Sequence, residues 1–191
     1  YLRYMRKQEP RTLRGELVKS FEELLIADWL TLNSVAYAYE YPYEEKTANR
    51  KKRQYKPDFY LVESGIYLEH FGVNRNGETA PGIDAKRYGA GMEWKRKLHA
   101  EHSTTLIETY SWERMEGVLL DRLERKLNDA GVVTAPIGAE QIAELLEQRD
   151  VNKKLVALVG SFLNVFRESQ WTFNELEGRV SRIPEEDQPR A

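Results

Sequence analysis

Lys56-Pro57-Asp58-Phe59-Tyr60-Leu61-Val62-Glu63-Ser64-Gly65-Ile66-Tyr67-Leu68-Glu69-His70-Phe71-Gly72 is the stretch on which the fold turns. Two runs rich in aromatic and β-branched residues, 57–62 and 66–73, flank Glu63-Ser64-Gly65, a short polar break whose glycine suits a tight turn. The pattern predicts an antiparallel hairpin. Folding it at Ser64-Gly65 brings Asp58 and Glu69, eleven positions apart in the chain, to the same end of a sheet. Two carboxylates so placed can hold a hard divalent cation such as Mg²⁺. Such an ion polarises a phosphate and lowers the pKa of an attacking water, and a nearby lysine would orient that water or neutralise developing charge.

Outward from the hairpin, residues 16–32 carry Leu17, Phe21, Leu24, Leu25 and Leu30 at helical spacing, and Asn33-Ser34 ends that helix. Residues 35–43 alternate, with Tyr37, Tyr39, Tyr41 and Tyr43 on one side, the period of a strand. Residues 44–56 are polar and basic, hence a loop. C-terminal to the hairpin, 74–83 reads as a loop and 84–102 as a helix with Met92 and Leu98 facing inward. Residues 104–110 form a strand, and 112–130 a long helix closed by Gly131. After Pro136 only helical patterns follow, at 137–149 and 151–180, before a polar tail. The expectation is an α/β fold, a small mixed sheet with flanking helices, followed by a helical extension. Its parts are a basic arm (1–15), the α/β core (16–135), the extension (136–182) and a mobile tail (183–191).

Composition removes several function classes. The 191 residues include no cysteine, which excludes a disulfide scaffold, a thiol nucleophile and a cysteine-bearing zinc site and is compatible with the cytoplasm. No apolar run approaches the ~20 residues that span a bilayer, so no membrane partner is expected. Neither a G-x-x-x-x-G-K-[ST] loop nor G-x-G-x-x-G occurs. The first residue is Tyr1, and the chain reads as an excerpt of a longer protein. Net charge is −2, near enough to zero that only local clustering bears on nucleic acid.

The acids acquire a context from the residues around them. A helix bearing Glu23, then Pro57-Asp58, then Glu69 on the following strand, is similar to the PD-(D/E)XK nuclease superfamily, restriction-endonuclease-like in fold. That resemblance implies Glu23, Asp58 and Glu69 as metal ligands, with a catalytic lysine two residues beyond the glutamate. Phe71 occupies that position here. Some relatives with an E-H-x-G strand carry the lysine on the next helix instead, where Trp94-Lys95-Arg96-Lys97 offers Lys97 first and Lys95 second. The blocks Lys19-Ser20-Phe21-Glu22-Glu23-Leu24-Leu25, Tyr55-Lys56-Pro57-Asp58-Phe59, Leu68-Glu69-His70-Phe71-Gly72, Met92-Glu93-Trp94-Lys95-Arg96-Lys97 and Leu106-Ile107-Glu108-Thr109-Tyr110 resemble the nuclease-like insert of UvrD/Rep-type superfamily 1 DNA helicases, the helicase IV group above all. The stretch 155–176 resembles the helicase segment after that insert. The resemblance implies a motor acting on DNA, with its ATP site outside this chain and Mg²⁺ as the cofactor of this part. The partners it implies are single-stranded or forked DNA and the remainder of the helicase.

The basic run Arg50-Lys51-Lys52-Arg53, with Lys56, is either a solvated loop or a phosphate-contacting finger. Tyr55 beside it is a candidate to stack on an unpaired base. The tyrosine row from Tyr37 to Tyr43 reads as one strand face before a stacking platform. His99 and His102, three residues apart, read as a solvated helix face, and His70 is expected to point away from the acids. Glu108 either faces the same cavity or pairs across strands with a lysine. Three functions follow in order: a DNA-engaging accessory domain of a helicase, an active Mg²⁺-dependent nuclease, and a structural or protein-docking insert.

Overall fold

The structure is a computed structural model and describes residues 10–50 and 52–147. The chain divides into two units, residues 10–139 and residues 1–9 with 140–191. The basic arm up to residue 9, the helix expected over 151–180 and the polar tail lie outside the described residues.

Ser20 decides where the first helix begins. Its hydroxyl accepts the Glu23 N–H at 3.0 Å, so helix α1 spans Phe21–Leu32 instead of starting at residue 16. The preceding residues form a small bridged turn in which Arg11 pairs with Leu17 and Gly15 takes a φ of 87°. After α1, Tyr37–Tyr39 forms β1, and there the expected alternation stops. Glu40, in the left-handed region at φ 48°, turns the chain over. Tyr37 and Tyr39 pack edge-on against Phe59. Tyr43 lies among Tyr55, Tyr67 and His99, in a second buried cluster. The four tyrosines therefore do not share a face.

Phe59–Leu61 forms β2 and Ile66–Phe71 forms β3, joined by the expected turn with Gly65 at φ 69°. Helix α2 runs Ala85–Glu101, capped by Asp84, whose side chain accepts the Arg87 N–H. Leu106–Tyr110 is β4. The four strands form one sheet in the order β1-β2-β3-β4. The first two pairings are antiparallel and β3–β4 is parallel. Parallel neighbours require a crossover, and α2 is that crossover.

Both faces of the sheet are covered, which is why five of the six β3 residues are buried. Ile66 and Leu68 share a core with Ile26, Leu30, Phe59, Leu61, Ile107, Leu123 and Leu127. Tyr67 points to the opposite face and packs with Tyr43, Tyr55 and Leu98. The single helix expected over 112–130 is two. Helix α3 (Ser111–Met115) and helix α4 (Leu119–Asp129) are separated by Gly117 at φ 72°, a conformation that interrupts helix geometry and that glycine adopts at little cost. Helix α4 buries Leu119, Leu123 and Leu127 at four-residue spacing. Helix α5 (Ala139–Glu147) stands at the start of the region expected to be helical. No helix among the described residues is long and apolar enough to cross a membrane.

Leu123 is fully buried, so Leu123→Ala should lower unfolding free energy by about 2–5 kcal/mol, the cost of a core cavity. Val133→Ala, at an exposed position, should change it by less than about 0.5 kcal/mol. Urea denaturation of both variants checks the core assignment.

Candidate active site

The strand registers place three carboxylates side by side. Phe59 opposes Leu68 and Tyr60 opposes Tyr67. Continued by one residue, that register sets Asp58 opposite Glu69. In the parallel pairing Glu69 is in turn the partner of Glu108. Residues opposite one another in a sheet share a face, and here the face is the one that α2 covers. Like charges in such a row repel, and burial strengthens the repulsion. The row is tolerable only if cations reach it.

Helix α2 supplies two. Lys95 Nζ donates to Glu69 Oε2. The Arg96 guanidinium grips Glu108 with Nε–Oε1 at 2.7 Å and Nη2–Oε2 at 2.8 Å, a bidentate geometry that fixes both partners. Glu108 is thus paired with an arginine from the helix, not with a cross-strand lysine, and its carboxyl is held below the usual range by that pairing against the opposing effect of burial. Asp58 receives no cation of its own among the described residues. Its Oδ2 accepts the His70 backbone N–H at 2.8 Å. Burial, followed by repulsion from Glu69, pushes its carboxyl up to about 7.

Lys97, the first candidate for the displaced lysine, is not at this site. It is 76% exposed and lies 3.6 Å from Glu101 on the outer face of α2. The physical reason is helical phase. Lys95 lies three and four residues before Leu98 and His99, the two buried residues of α2, and so shares their face. Lys97 does not. The amine that meets the acids is therefore that of Lys95, whose side chain is 28% exposed.

Tyr55 is also corrected. It is 7% exposed, and its hydroxyl donates to Glu69 Oε1 at 2.7 Å, so it is a wall of the acidic site and not a free stacking surface. His99, expected on a solvated face, is 2% exposed. Its Nε2 lies 3.2 Å from the Tyr55 hydroxyl and its Nδ1 2.7 Å from Thr104 Oγ1. Because Glu69 can only accept, the Tyr55 proton goes to Glu69 and the Tyr55 oxygen must accept from His99. That assigns the Nε2–H tautomer to His99, with Nδ1 accepting from Thr104. Thr104 Oγ1 in turn accepts from the Tyr43 hydroxyl at 2.8 Å. Burial, and then the charge of Lys95, lowers the His99 pKa to about 4, which keeps the ring neutral as this chain of bonds requires.

Glu23 is buried and committed elsewhere. Its Oε2 accepts the Tyr39 hydroxyl at 2.6 Å and the Lys19 N–H at 3.1 Å. Burial raises its pKa, and the charge of Asp58 adds to the rise. Among the described residues no three His, Cys, Asp or Glu side chains gather at metal-ligand spacing. Mg²⁺, however, is commonly held by one or two carboxylates, keeping several waters and adding substrate phosphate oxygens. Asp58, with one oxygen uncommitted and a proton held only weakly at neutral pH, beside Glu69, fits that demand. Glu23 as a third ligand does not assemble with them. His70 presents its ring to the opposite face, with Nδ1 3.0 Å from Thr109 Oγ1.

The loop of residues 44–56 is built rather than loose. The Gln54 amide donates to the Tyr43 and Glu45 carbonyls and accepts from the Thr47 and Ala48 N–H groups. These four bonds use the full capacity of one side chain. Arg50, Lys52, Arg53 and Lys56 are exposed on it, and Lys51 lies outside the described residues. Lys52 Nζ sits 4.3 Å from the centre of the Trp94 ring, which ties the loop to α2 beside Lys95. A cavity of about 600 Å³ opens on the other side of Lys95, between the loop after β3 and the first turns of α2. Comparison with models of known protein families, with curated proteins and with solved structures finds no match.

Asp58 binds a proton more tightly in the fold than in the unfolded chain, so its contribution to stability falls as pH rises from about 4 to about 7. His70 and His99, both lowered to about 4 by burial, act in the opposite sense over nearly the same window. The difference between Asp58→Asn and the parent isolates the carboxyl. That difference should grow in favour of the variant across this window and level off above it. Melting temperatures of the two proteins between pH 4 and 8 measure it, and parallel curves would remove the raised pKa.

Proposed function

We propose that this chain is the DNA-engaging, nuclease-like portion of a longer superfamily 1 helicase, and that its Asp58–Glu69–Lys95 cluster cleaves phosphodiester bonds. The carrying observation is the placement of Lys95 on Glu69 with Asp58 alongside and lacking a cation of its own. The α-β-β-β-α-β order and the mixed sheet are consistent with the PD-(D/E)XK resemblance. They leave the helicase assignment resting on the sequence blocks. The ATP-driven motor belongs to the remainder of the parent chain.

A divalent cation held by Asp58 and Glu69 would polarise the scissile phosphate and acidify a bound water. The protein's own residues supply the rest. Asp58, its carboxyl raised to about 7, would give up its proton near neutral pH to hold such a cation. Lys95 is close enough to Glu69 to orient a water on the same carboxylate and to face charge developing on the phosphate. Tyr55, itself oriented by His99, holds Glu69 through Oε1, which keeps the lysine and carboxylate aligned. Arg50, Lys52, Arg53 and Lys56 offer phosphates a cationic edge, so binding to single-stranded or forked DNA should weaken with salt.

Incubating the chain with labelled single-stranded and forked DNA in Mg²⁺ or Mn²⁺ tests the cleavage. Chelator-sensitive cutting is expected. It should fall by about a hundredfold or more in Asp58→Asn, Glu69→Gln and Lys95→Ala and change by less than about twofold in Lys97→Ala. DNA binding without metal-dependent cutting would leave an accessory domain and remove the nuclease. Absence of both would remove the whole reading. Reversing the charge of Arg50, Lys52, Arg53 and Lys56 together should reduce the log–log salt slope of single-strand binding by about 2–3, at about 0.7 per phosphate contact. An unchanged slope would take the loop out of the interface.

A further inference from the structure

The cavity beside Lys95 is unused by the chemistry described above. Its walls include Phe71 at the end of β3, Ile83 and Asp84 from the loop after it, and Arg87, Tyr88, Gly91, Met92 and Lys95 from α2, the Asp84 carboxylate accepting the Arg87 N–H as the cap of that helix. Resting on the nuclease reading, we propose that this cavity receives the unpaired base next to the phosphate at the Asp58–Glu69–Lys95 cluster, which makes single-stranded DNA the substrate.

Four features carry the assignment. The volume, about 600 Å³, falls in the range of ~300–1,000 Å³ for sites that enclose a small ligand, and a nucleobase with its sugar is of that scale. The apolar part of the lining is the rings of Phe71 and Tyr88, the Met92 thioether and the Ile83 side chain, surfaces that accept any base by its face without reading its edge. Ile83 remains 49% exposed although it belongs to this wall, an apolar side chain left without a cover. Finally, the cations are at the ends. Lys95 joins the cavity to the acidic site, and Arg87 is exposed at the other edge, so a base inside keeps the phosphates on both sides of its sugar near positive charge. Tyr88 adds direction. Its oxygen accepts the Gly72 N–H at 2.8 Å and its proton has no acceptor among the described residues, which leaves one donor available to a ligand. A base paired in a duplex cannot enter a cavity of this kind without being flipped out, at a cost of a few kcal/mol.

Gly91 allows the cavity to be filled without disturbing the fold. A Cβ placed there meets nothing within 4 Å, and leucine is a better helix former than glycine. The test is a cycle between Gly91→Leu and removal of one base. Single-stranded oligonucleotides carry an abasic residue at each position in turn around the cut. In the unmodified strand Gly91→Leu should slow cleavage about tenfold or more. At one abasic position, adjacent to the cut, it should have no further effect. Binding is read separately, without divalent metal, from the fluorescence of a 2-aminopurine at that position. Quenching is expected in the parent chain and not in Gly91→Leu. An equal effect of Gly91→Leu on intact and abasic strands, or a fully paired duplex cut as fast as a single strand, would overturn the subsite. If the unmodified strand is never cut, the nuclease reading fails and the fluorescence arm alone decides the cavity. Quenching there retains a base-binding cavity, and its absence removes it. Competition by deoxyadenosine monophosphate as strong as by the oligonucleotide would assign the cavity to free nucleotides and overturn the strand reading.

Discussion

Glu69 carries its charge at the centre of the sheet, 1% exposed, and the arrangement around it follows from that constraint. A buried carboxylate costs several kcal/mol unless a counter-charge and hydrogen bonds repay it. Both oxygens of Glu69 are engaged, one by Lys95 and the other by Tyr55. Lys95 can reach it only if the β3–β4 crossover lies over that strand. Tyr55 can reach it only if the chain between β1 and β2 comes back across the same face, and the Gln54 amide holds that path. One buried charge thereby fixes the course of a helix and of a long loop.

The neighbouring acids show what the site gives up. Glu108 has Arg96 to itself, yet Asp58, in the same row, is left to rely on a proton or an external cation. A sequence selected for stability alone would place an asparagine or a small apolar residue at position 58. A carboxyl without its own counter-charge beside a satisfied ion pair is the pattern expected where stability is exchanged for chemistry. A purely structural insert has no need of it, and this weighs against the docking-insert reading more than any single distance does.

The hairpin of residues 57–73 was legible because its alternation, its turn glycine and the two acids agree with one another, and the structure follows it closely. The lysine is legible too once the helix is phased from its buried residues. Leu98 reads as inward from sequence, and three residues back is Lys95, not Lys97. Tyr55 was harder. It stands next to a basic run whose exposure is obvious, and nothing in that run reveals that Gln54, the residue before Tyr55, clasps the backbone of residues 43–48 and turns the chain inward between Arg53 and Lys56. The reversal at Glu40 and the break at Gly117 depend on single residues with positive φ, which periodicity averages away. The burial of His99 is not legible, because a histidine three residues from another on a polar helix gives no sign of the Tyr55 and Thr104 partners that fold onto it.

The residues that matter on α2 form one stripe. Tyr88, Met92, Lys95 and His99 follow one another at steps of four, three and four, the spacing of a single helical face. Along that line the character changes from an open cavity, through a part-buried ammonium, to a buried neutral imidazole. The opposite side of the same helix carries Lys97 with Glu101, in solvent. One wall of the cavity, the amine and the support of the acid are thus borne by one rigid element, so their spacing is set by helix geometry and not by loop conformations. Inserting one residue into α2 between Met92 and Lys95 would rotate the cavity walls by about 100° relative to the amine while leaving composition, charge and helical propensity almost unchanged. What specifies this site is therefore the phase of a helix against a strand register, a property carried by the order of the residues and invisible in their proportions.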